Sequence, residues 1–168
     1  MKQIKALFLD RDGVINEDFG YVYKISDFKF RDGIFTALRE FSELNYTIII
    51  VTNQSGIGRG YYTLEQFLEL NEFMLNEFSK NGVNIAKVYF CPHAPEENCE
   101  CRKPRAGMIL NAQKELNVDL KSSIMIGDKQ SDIDAANTAK IGLSFLLDGE
   151  NFKNVIDVLD WLKRGKIL

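Results

Sequence analysis

No stretch of this 168-residue chain approaches the roughly 20 consecutive apolar residues that cross a bilayer. Near the N-terminus only four apolar residues stand between Lys5 and Asp10, too few for a secretory h-region. Runs of basic residues are also missing and the formal net charge is -3, which argues against a nucleic-acid surface. There is no internal repeat, low-complexity tract or interdomain linker. Histidine occurs once and cysteine three times, and in a chain without a secretory signal such cysteines are expected as thiols or metal ligands rather than disulfides. These absences lead to the expectation of a cytoplasmic protein with no membrane or nucleic-acid partner; the length suits one domain over 1–168, and a monomer is expected. What is present is an ordinary globular composition, 45% hydrophobic and 27% charged, in a chain long enough to bury a sizeable core.

The organising stretch is Lys5-Ala6-Leu7-Phe8-Leu9-Asp10-Arg11-Asp12-Gly13, an apolar run that ends in two carboxylates one residue apart and a glycine. An apolar run of this length reads as a strand covered on both faces, and ligands in open α/β sheets gather at the carboxyl ends of such strands. Side chains two apart on an extended segment point the same way. Both carboxyls, or one carboxyl and a nearby main-chain carbonyl, can therefore face one hard cation. A calcium loop fits poorly, because its glycine belongs at the sixth position and here it is fourth.

From Gly13 to about Arg31 a polar and aromatic connection reads as a flap. Asp32 is expected to cap a helix carrying Ile34, Ala37, Leu38, Phe41 and Leu44. Tyr46 to Val51 is a second buried strand, followed by the loop Thr52-Asn53-Gln54-Ser55-Gly56-Ile57-Gly58-Arg59-Gly60, a plausible anion cradle that matches neither the dinucleotide nor the P-loop pattern. Thr63 and Gln66 form a capping box for a long helix with Leu64, Phe67, Leu68, Met74, Leu75 and Phe78 on its apolar side, ending near Asn81-Gly82. Strands are expected at Lys87–Phe90, Ser123–Ile126 and Gly142–Leu147. Helices are expected from Ala106 to Leu116, after a cap of Ser131 with Asp134, and along Val155, Val158, Leu159 and Leu162, where Trp161 is a packing residue. Strands alternating with helices predict an α/β fold with a doubly wound parallel sheet and right-handed crossovers.

Two constellations carry chemistry. Asp10, Asp12, Thr52, Lys103 and Asp128 each follow a predicted strand or sit in a loop at the same sheet edge. Together they supply a nucleophilic carboxylate, an acid/base carboxyl, a cation site and a positive charge for phosphate oxygens, which is equipment for phosphoryl transfer. Asp132 is placed to orient Lys103 or to favour the helix N-terminus. The second constellation is Cys91-Pro92-His93 with Cys99-Glu100-Cys101, which gathers every cysteine and the only histidine within eleven residues. Four such donors suffice for a closed zinc site with no open position, hence a structural one that folds a loop unable to bury a core of its own.

The segments DRDG at 10–13, TNQSGIGRG at 52–60, CRKP at 101–104 and GDKQSD at 127–132 resemble the four motifs of the haloacid dehalogenase superfamily of aspartyl phosphatases. With the cysteine-histidine loop, the chain is similar to the D-glycero-D-manno-heptose 1,7-bisphosphate 7-phosphatases and, more loosely, to histidinol-phosphate phosphatases. The resemblance implies a Rossmann-like fold without a large cap domain and a small zinc-organised loop. It also implies a phosphorylated sugar as substrate and a step in ADP- or GDP-heptose biosynthesis. By that resemblance Asp10 forms an aspartyl phosphate and Asp12 is the acid and base. Mg²⁺ lies between Asp10, the Asp12 carbonyl and Asp128, Zn²⁺ on Cys91, His93, Cys99 and Cys101, and Thr52, Asn53 and Lys103 hold the phosphoryl group. Asp18, Phe19, Gly20, Tyr21, Gln54, Ser55, Arg102 and Lys129 are the implied substrate contacts. Only five residues separate His93 from Cys99, fewer than in some members, so substrate contacts from that loop are not carried over. Two other classes remain to be distinguished. A response-regulator receiver needs a phosphoacceptor Asp at the end of the third strand, where Cys91 stands, and a non-catalytic zinc-organised binding module leaves the three acids without a purpose.

Overall fold

The computed structural model describes residues 2–168. Its centre is a five-stranded parallel sheet of β1 (Lys5–Leu9), β2 (Tyr46–Asn53), β3 (Ile85–Cys91), β4 (Ile124–Gly127) and β5 (Leu143–Leu146), in the order β3-β2-β1-β4-β5. The chain first builds outward from β1 to β3 and then returns to the other side of β1. The strand order therefore reverses between β1 and β4, which opens a crevice at their carboxyl ends.

Successive side chains of a strand face opposite ways, and β1 uses both faces. Leu7 and Leu9 enter one core with Ile48, Ile50, Ile124 and Ile126, covered by α1 (Ile34–Glu43), α3 (Leu64–Lys80) and α6 (Val155–Arg164). Ala6 and Phe8 enter the other with Ile49, Val51 and Met125, covered by α4 (Gly107–Leu116) and α5 (Gln130–Ala139). This is why the run before Asp10 is apolar throughout rather than alternating. A single turn, α2 (Ser55–Gly58), stands between β2 and α3. No large cap insertion interrupts the sheet among the described residues.

Several local expectations are corrected. Gly33, not Asp32, is the N-cap of α1, and no side chain caps that end. Thr52 and Asn53 belong to β2 rather than to the loop, and β3 runs longer than expected, from Ile85 to Cys91. The Thr63–Gln66 capping box forms with both bonds, but the buried face of α3 is Phe67, Leu70, Met74 and Phe78, leaving Leu64 and Leu68 exposed. Ser131 lies inside α5, and the N-cap is Lys129, whose amide, with that of Asp128 before it, donates to Asp132 Oδ2. Trp161 packs edge-on against Phe145 and Phe152 while remaining exposed. The flap is anchored by buried Val14, Ile15, Val22 and Phe28, with Phe19 and Tyr21 exposed at its tip. No helix among the described residues is long and apolar enough to cross a membrane.

Candidate active site

The parallel register brings the ends of β1 and β4 level: Leu9 pairs with Ile126, and the Asp10 amide donates to the Ile126 carbonyl at 3.2 Å. Asp10 and Asp128 thus leave adjacent strands at one height. Gly13 turns the chain with φ 85°, and a Cβ there would overlap the Asp128 carboxylate. Only glycine permits both the left-handed backbone and that approach.

Lys103 reaches this point from the loop after β3. It is 3% exposed, and its ammonium donates to Asp10 Oδ1 at 2.9 Å and the Val51 carbonyl at 2.7 Å while pairing with Asp132 Oδ1 at 2.6 Å. Its backbone is fixed by Asn53, whose Oδ1 accepts from the Lys103 amide at 3.0 Å and whose Nδ2 donates to the Lys103 carbonyl at 3.1 Å. Burial alone would lower the lysine's pKa, but Asp10 and Asp132 outweigh it and raise it, so the ammonium stays charged. Burial pushes the Asp10 carboxyl up to about 8; Lys103 opposes this, and Asp132 and Asp128 add to it. Burial also raises Asp128.

Oxygens of Asp10, Asp128 and Asp132 lie within 4.8 Å of one another. Asp132 spends both of its oxygens, on Lys103 and on the α5 amides. Asp128 Oδ1, by contrast, is buried without a hydrogen-bond partner. That leaves Asp10 and Asp128, one oxygen of the latter orphaned, as a pair of hard carboxylate donors that suits Mg²⁺. Asp12 is held differently. Its Oδ1 accepts from Arg11 at 2.9 Å and Asn16 at 3.0 Å, and its Oδ2 from Gln54 Nε2 at 3.1 Å.

A cavity of about 560 Å³ opens above these groups. Of the residues singled out in the sequence, Asp10, Asp12, Asp18, Gly20, Tyr21, Asn53, Gln54, Ser55, Arg102, Lys103 and Lys129 line it. Asp18 and Lys129 pair across it at 3.6 Å. Thr52 is fully buried beneath, its hydroxyl accepting from Gln54 Nε2 at 3.0 Å. Phe19 does not line the cavity; it is 65% exposed at the flap tip, because the chain turns there at Gly20. Gln54, expected as a substrate contact, is almost wholly buried, and all its polar atoms engage protein groups. Three residues not singled out in the sequence also belong here: Arg59 and Tyr62, which line the same cavity, and Arg11, 1% exposed beside Asp12. Arg59 falls within the glycine-rich segment and Tyr62 directly before a capping box, so position alone was the available signal.

Cys91, His93, Cys99 and Cys101 also converge. The three sulfurs are 2.8 to 3.5 Å apart, and His93 Nδ1 lies 3.2 Å from Cys101 and 3.5 Å from Cys91. These separations fall somewhat inside the roughly 3.7 Å edge of a tetrahedron built on 2.3 Å zinc–sulfur bonds, and the soft donor set suits zinc. The loop is joined to the cavity wall where the Gln54 amide donates to the Cys91 carbonyl and the Gly58 amide to the Pro92 carbonyl, both at 2.8 Å.

The HAD-hydrolase-like family model matches residues 100–155. A D-glycero-alpha-D-manno-heptose-1,7-bisphosphate 7-phosphatase of Campylobacter jejuni is 51% identical, over 97% of this chain and 98% of that protein. A D-glycero-beta-D-manno-heptose-1,7-bisphosphate 7-phosphatase of Helicobacter pylori is 47% identical, over 95% and 97%. The crystal structure of D,D-heptose 1,7-bisphosphate phosphatase from B. bronchiseptica, complexed with magnesium and phosphate, superposes with a TM-score of 0.83 at 26% identity, over 96% of this chain and 99% of that one. With identity near one half sustained from end to end and a matching sheet, the chain belongs to the D-glycero-D-manno-heptose 1,7-bisphosphate 7-phosphatases of the haloacid dehalogenase superfamily.

Proposed function

We propose that this protein hydrolyses the 7-phosphate of D-glycero-D-manno-heptose 1,7-bisphosphate with Mg²⁺, through an aspartyl phosphate on Asp10. The observation that carries the reading is the buried contact of Asp10 with Lys103 at the floor of a polar cavity, backed by Asp132. One oxygen of Asp10 attacks phosphorus as the bond from phosphorus to the sugar oxygen breaks. Asp12 gives its proton to that oxygen. It then takes a proton from the water that cleaves the acyl phosphate, which returns Asp10 and releases phosphate. Lys103, with Thr52 and Asn53 beside it, balances charge on the transferring group. Asp10, the Asp12 main-chain carbonyl and Asp128 would hold Mg²⁺, which would supply further neutralisation of the phosphoryl oxygens. Arg102 and Lys129, with Asp18, Gly20, Tyr21 and Ser55, form the surface for the sugar and its second phosphate. Zn²⁺ on Cys91, His93, Cys99 and Cys101 has a structural role, since four protein donors leave no open position.

Histidinol phosphate is the rival substrate, and the names of the relatives favour the sugar. Phosphate release with Mg²⁺ from both heptose anomers and from histidinol phosphate tests the reading. A large preference in kcat/KM for a heptose bisphosphate is expected, and a preference for histidinol phosphate would sink the assignment. Asp10→Asn should lose turnover with either substrate while keeping its fold.

A further inference from the structure

The two oxygens of Asp12 are not equivalent. Oδ1 receives three hydrogen bonds, from Arg11 Nη2 at 2.9 Å, Arg11 Nε at 3.3 Å and Asn16 Nδ2 at 3.0 Å. Oδ2 receives one, from Gln54 Nε2 at 3.1 Å, and so retains the lone pair on which a transferable proton can sit. What aims Oδ2 is therefore the Gln54 amide. A carboxamide is nearly symmetric in shape, and its hydrogen-bond partners decide which end faces which way. Both hydrogens of Gln54 Nε2 are spent, on Asp12 Oδ2 and on Thr52 Oγ1, and Oε1 accepts from the Tyr62 hydroxyl at 2.5 Å.

Tyr62 is itself held. It is 5% exposed, its ring stacks on Tyr23 of the flap at 5.1 Å, and it lies against Gly56, where any Cβ would overlap the ring. Burial pushes the phenol up to about 12, so the hydroxyl keeps the hydrogen it donates. Were the amide reversed, Gln54 Oε1 would confront Asp12 Oδ2. The ionised acid would then be repelled, and the protonated acid would spend its hydrogen on Gln54 instead of the departing sugar oxygen.

We propose that Tyr62, acting through Gln54, is a positioning residue that makes Asp12 Oδ2 the proton-carrying oxygen and keeps its proton directed at the leaving group. The proposal rests on Asp12 as the acid of the phosphatase reading. Tyr62→Phe keeps the ring, the Tyr23 stack and the Gly56 contact and deletes one hydroxyl. The discriminating measurement is single-turnover release of the leaving alcohol, enzyme in excess, with Mg²⁺, from heptose 1,7-bisphosphate and from p-nitrophenyl phosphate. A sugar alkoxide needs a proton to depart and nitrophenolate does not. The loss of one buried hydrogen bond should slow the sugar ester about fivefold at saturation, with its concentration dependence unchanged and the nitrophenyl ester unaffected. Gln54→Ala should slow the sugar ester further with the same selectivity. Equal slowing of both esters, no slowing of either, or an effect confined to the concentration dependence would overturn the proposal. Asp12→Asn in the same assay separates the two levels: it should slow sugar release far more than nitrophenolate release. If it left sugar release intact, the acid role itself would fail, whatever Tyr62 does.

Discussion

A lysine ammonium as buried as Lys103 survives only because every hydrogen it carries has an acceptor, two of them carboxylates. Asp132 is the residue that makes this possible, since one oxygen takes the lysine and the other ties it to the amides that start α5. Around them the excess charge is negative, and that sets a pH dependence. Burial, reinforced by Asp132 and Asp128 and opposed by Lys103, moves Asp10 from its ordinary 3.8 to about 8 in the folded, metal-free protein. Below the ordinary value both folded and unfolded chains hold this proton. Between the two values only the folded chain does, so rising pH favours unfolding until Asp10 ionises in both. In the presence of a chelator the melting temperature should fall between about pH 5 and pH 8, and this slope should shrink in Asp10→Asn. Mg²⁺ should raise the melting temperature more at the higher pH, because it binds the ionised form. An equal slope in wild type and variant would assign the titration elsewhere.

At the scale of elements, the segment between β3 and α4 has almost no core of its own: its only regular turn, Pro95–Glu97, contains no buried residue. It is held by the four metal-type donors and by Arg105, whose guanidinium donates to the Asn98 carbonyl at 3.2 Å, Asn98 Oδ1 at 2.7 Å and the Cys99 carbonyl. Arg102 and Lys103 follow the last cysteine directly, and Asn53 clamps Lys103 to the end of β2. Removing the proposed Zn²⁺ should therefore be felt at Lys103. Hydrogen exchange after chelation should show faster exchange over residues 92–103 and unchanged protection in β1 and β2, together with a fall in kcat. Unchanged exchange in that loop would mean that the donors do not bind a metal that organises it.

For the molecule as a whole, β1 is the point where two cores meet. Phe8, fully buried, lies in the core covered by α4 and α5, and its neighbours Leu7 and Leu9 lie in the other. Neither layer can cover the sheet alone, so truncating one face should destabilise the entire sheet. Phe8→Ala should cost about 3–5 kcal/mol in urea unfolding, the usual cost of an aromatic-sized cavity. A loss below about 1 kcal/mol would mean that the core under α4 and α5 collapses around the gap.

How much of this was legible in the chain follows from what is local. The end of β1, the Cys-His loop and the strand-helix alternation could be read directly, because a two-residue strand period, a helical repeat and a short ligand spacing are set by covalent geometry over a few residues. Even local signals failed where two competed. Asp32 yielded the cap of α1 to Gly33, whose backbone lies in the left-handed region, and Ser131 yielded α5 to Asp132, which Lys103 also pulls into place. The sequence by itself determined the fold class, the acids at the sheet edge and the four soft donors. Only the tertiary structure decided that Asp132 serves both Lys103 and α5, that Arg11 is buried against Asp12, and that Tyr62 and Gln54 aim one oxygen of that acid. The reason is physical: the Tyr62–Gln54–Asp12 and Asp132–Lys103–Asp10 chains each contain links between residues far apart in sequence, 42 positions for Gln54–Asp12 and 93 for Lys103–Asp10, and their partners are chosen by packing and by the demand that buried polar groups be satisfied.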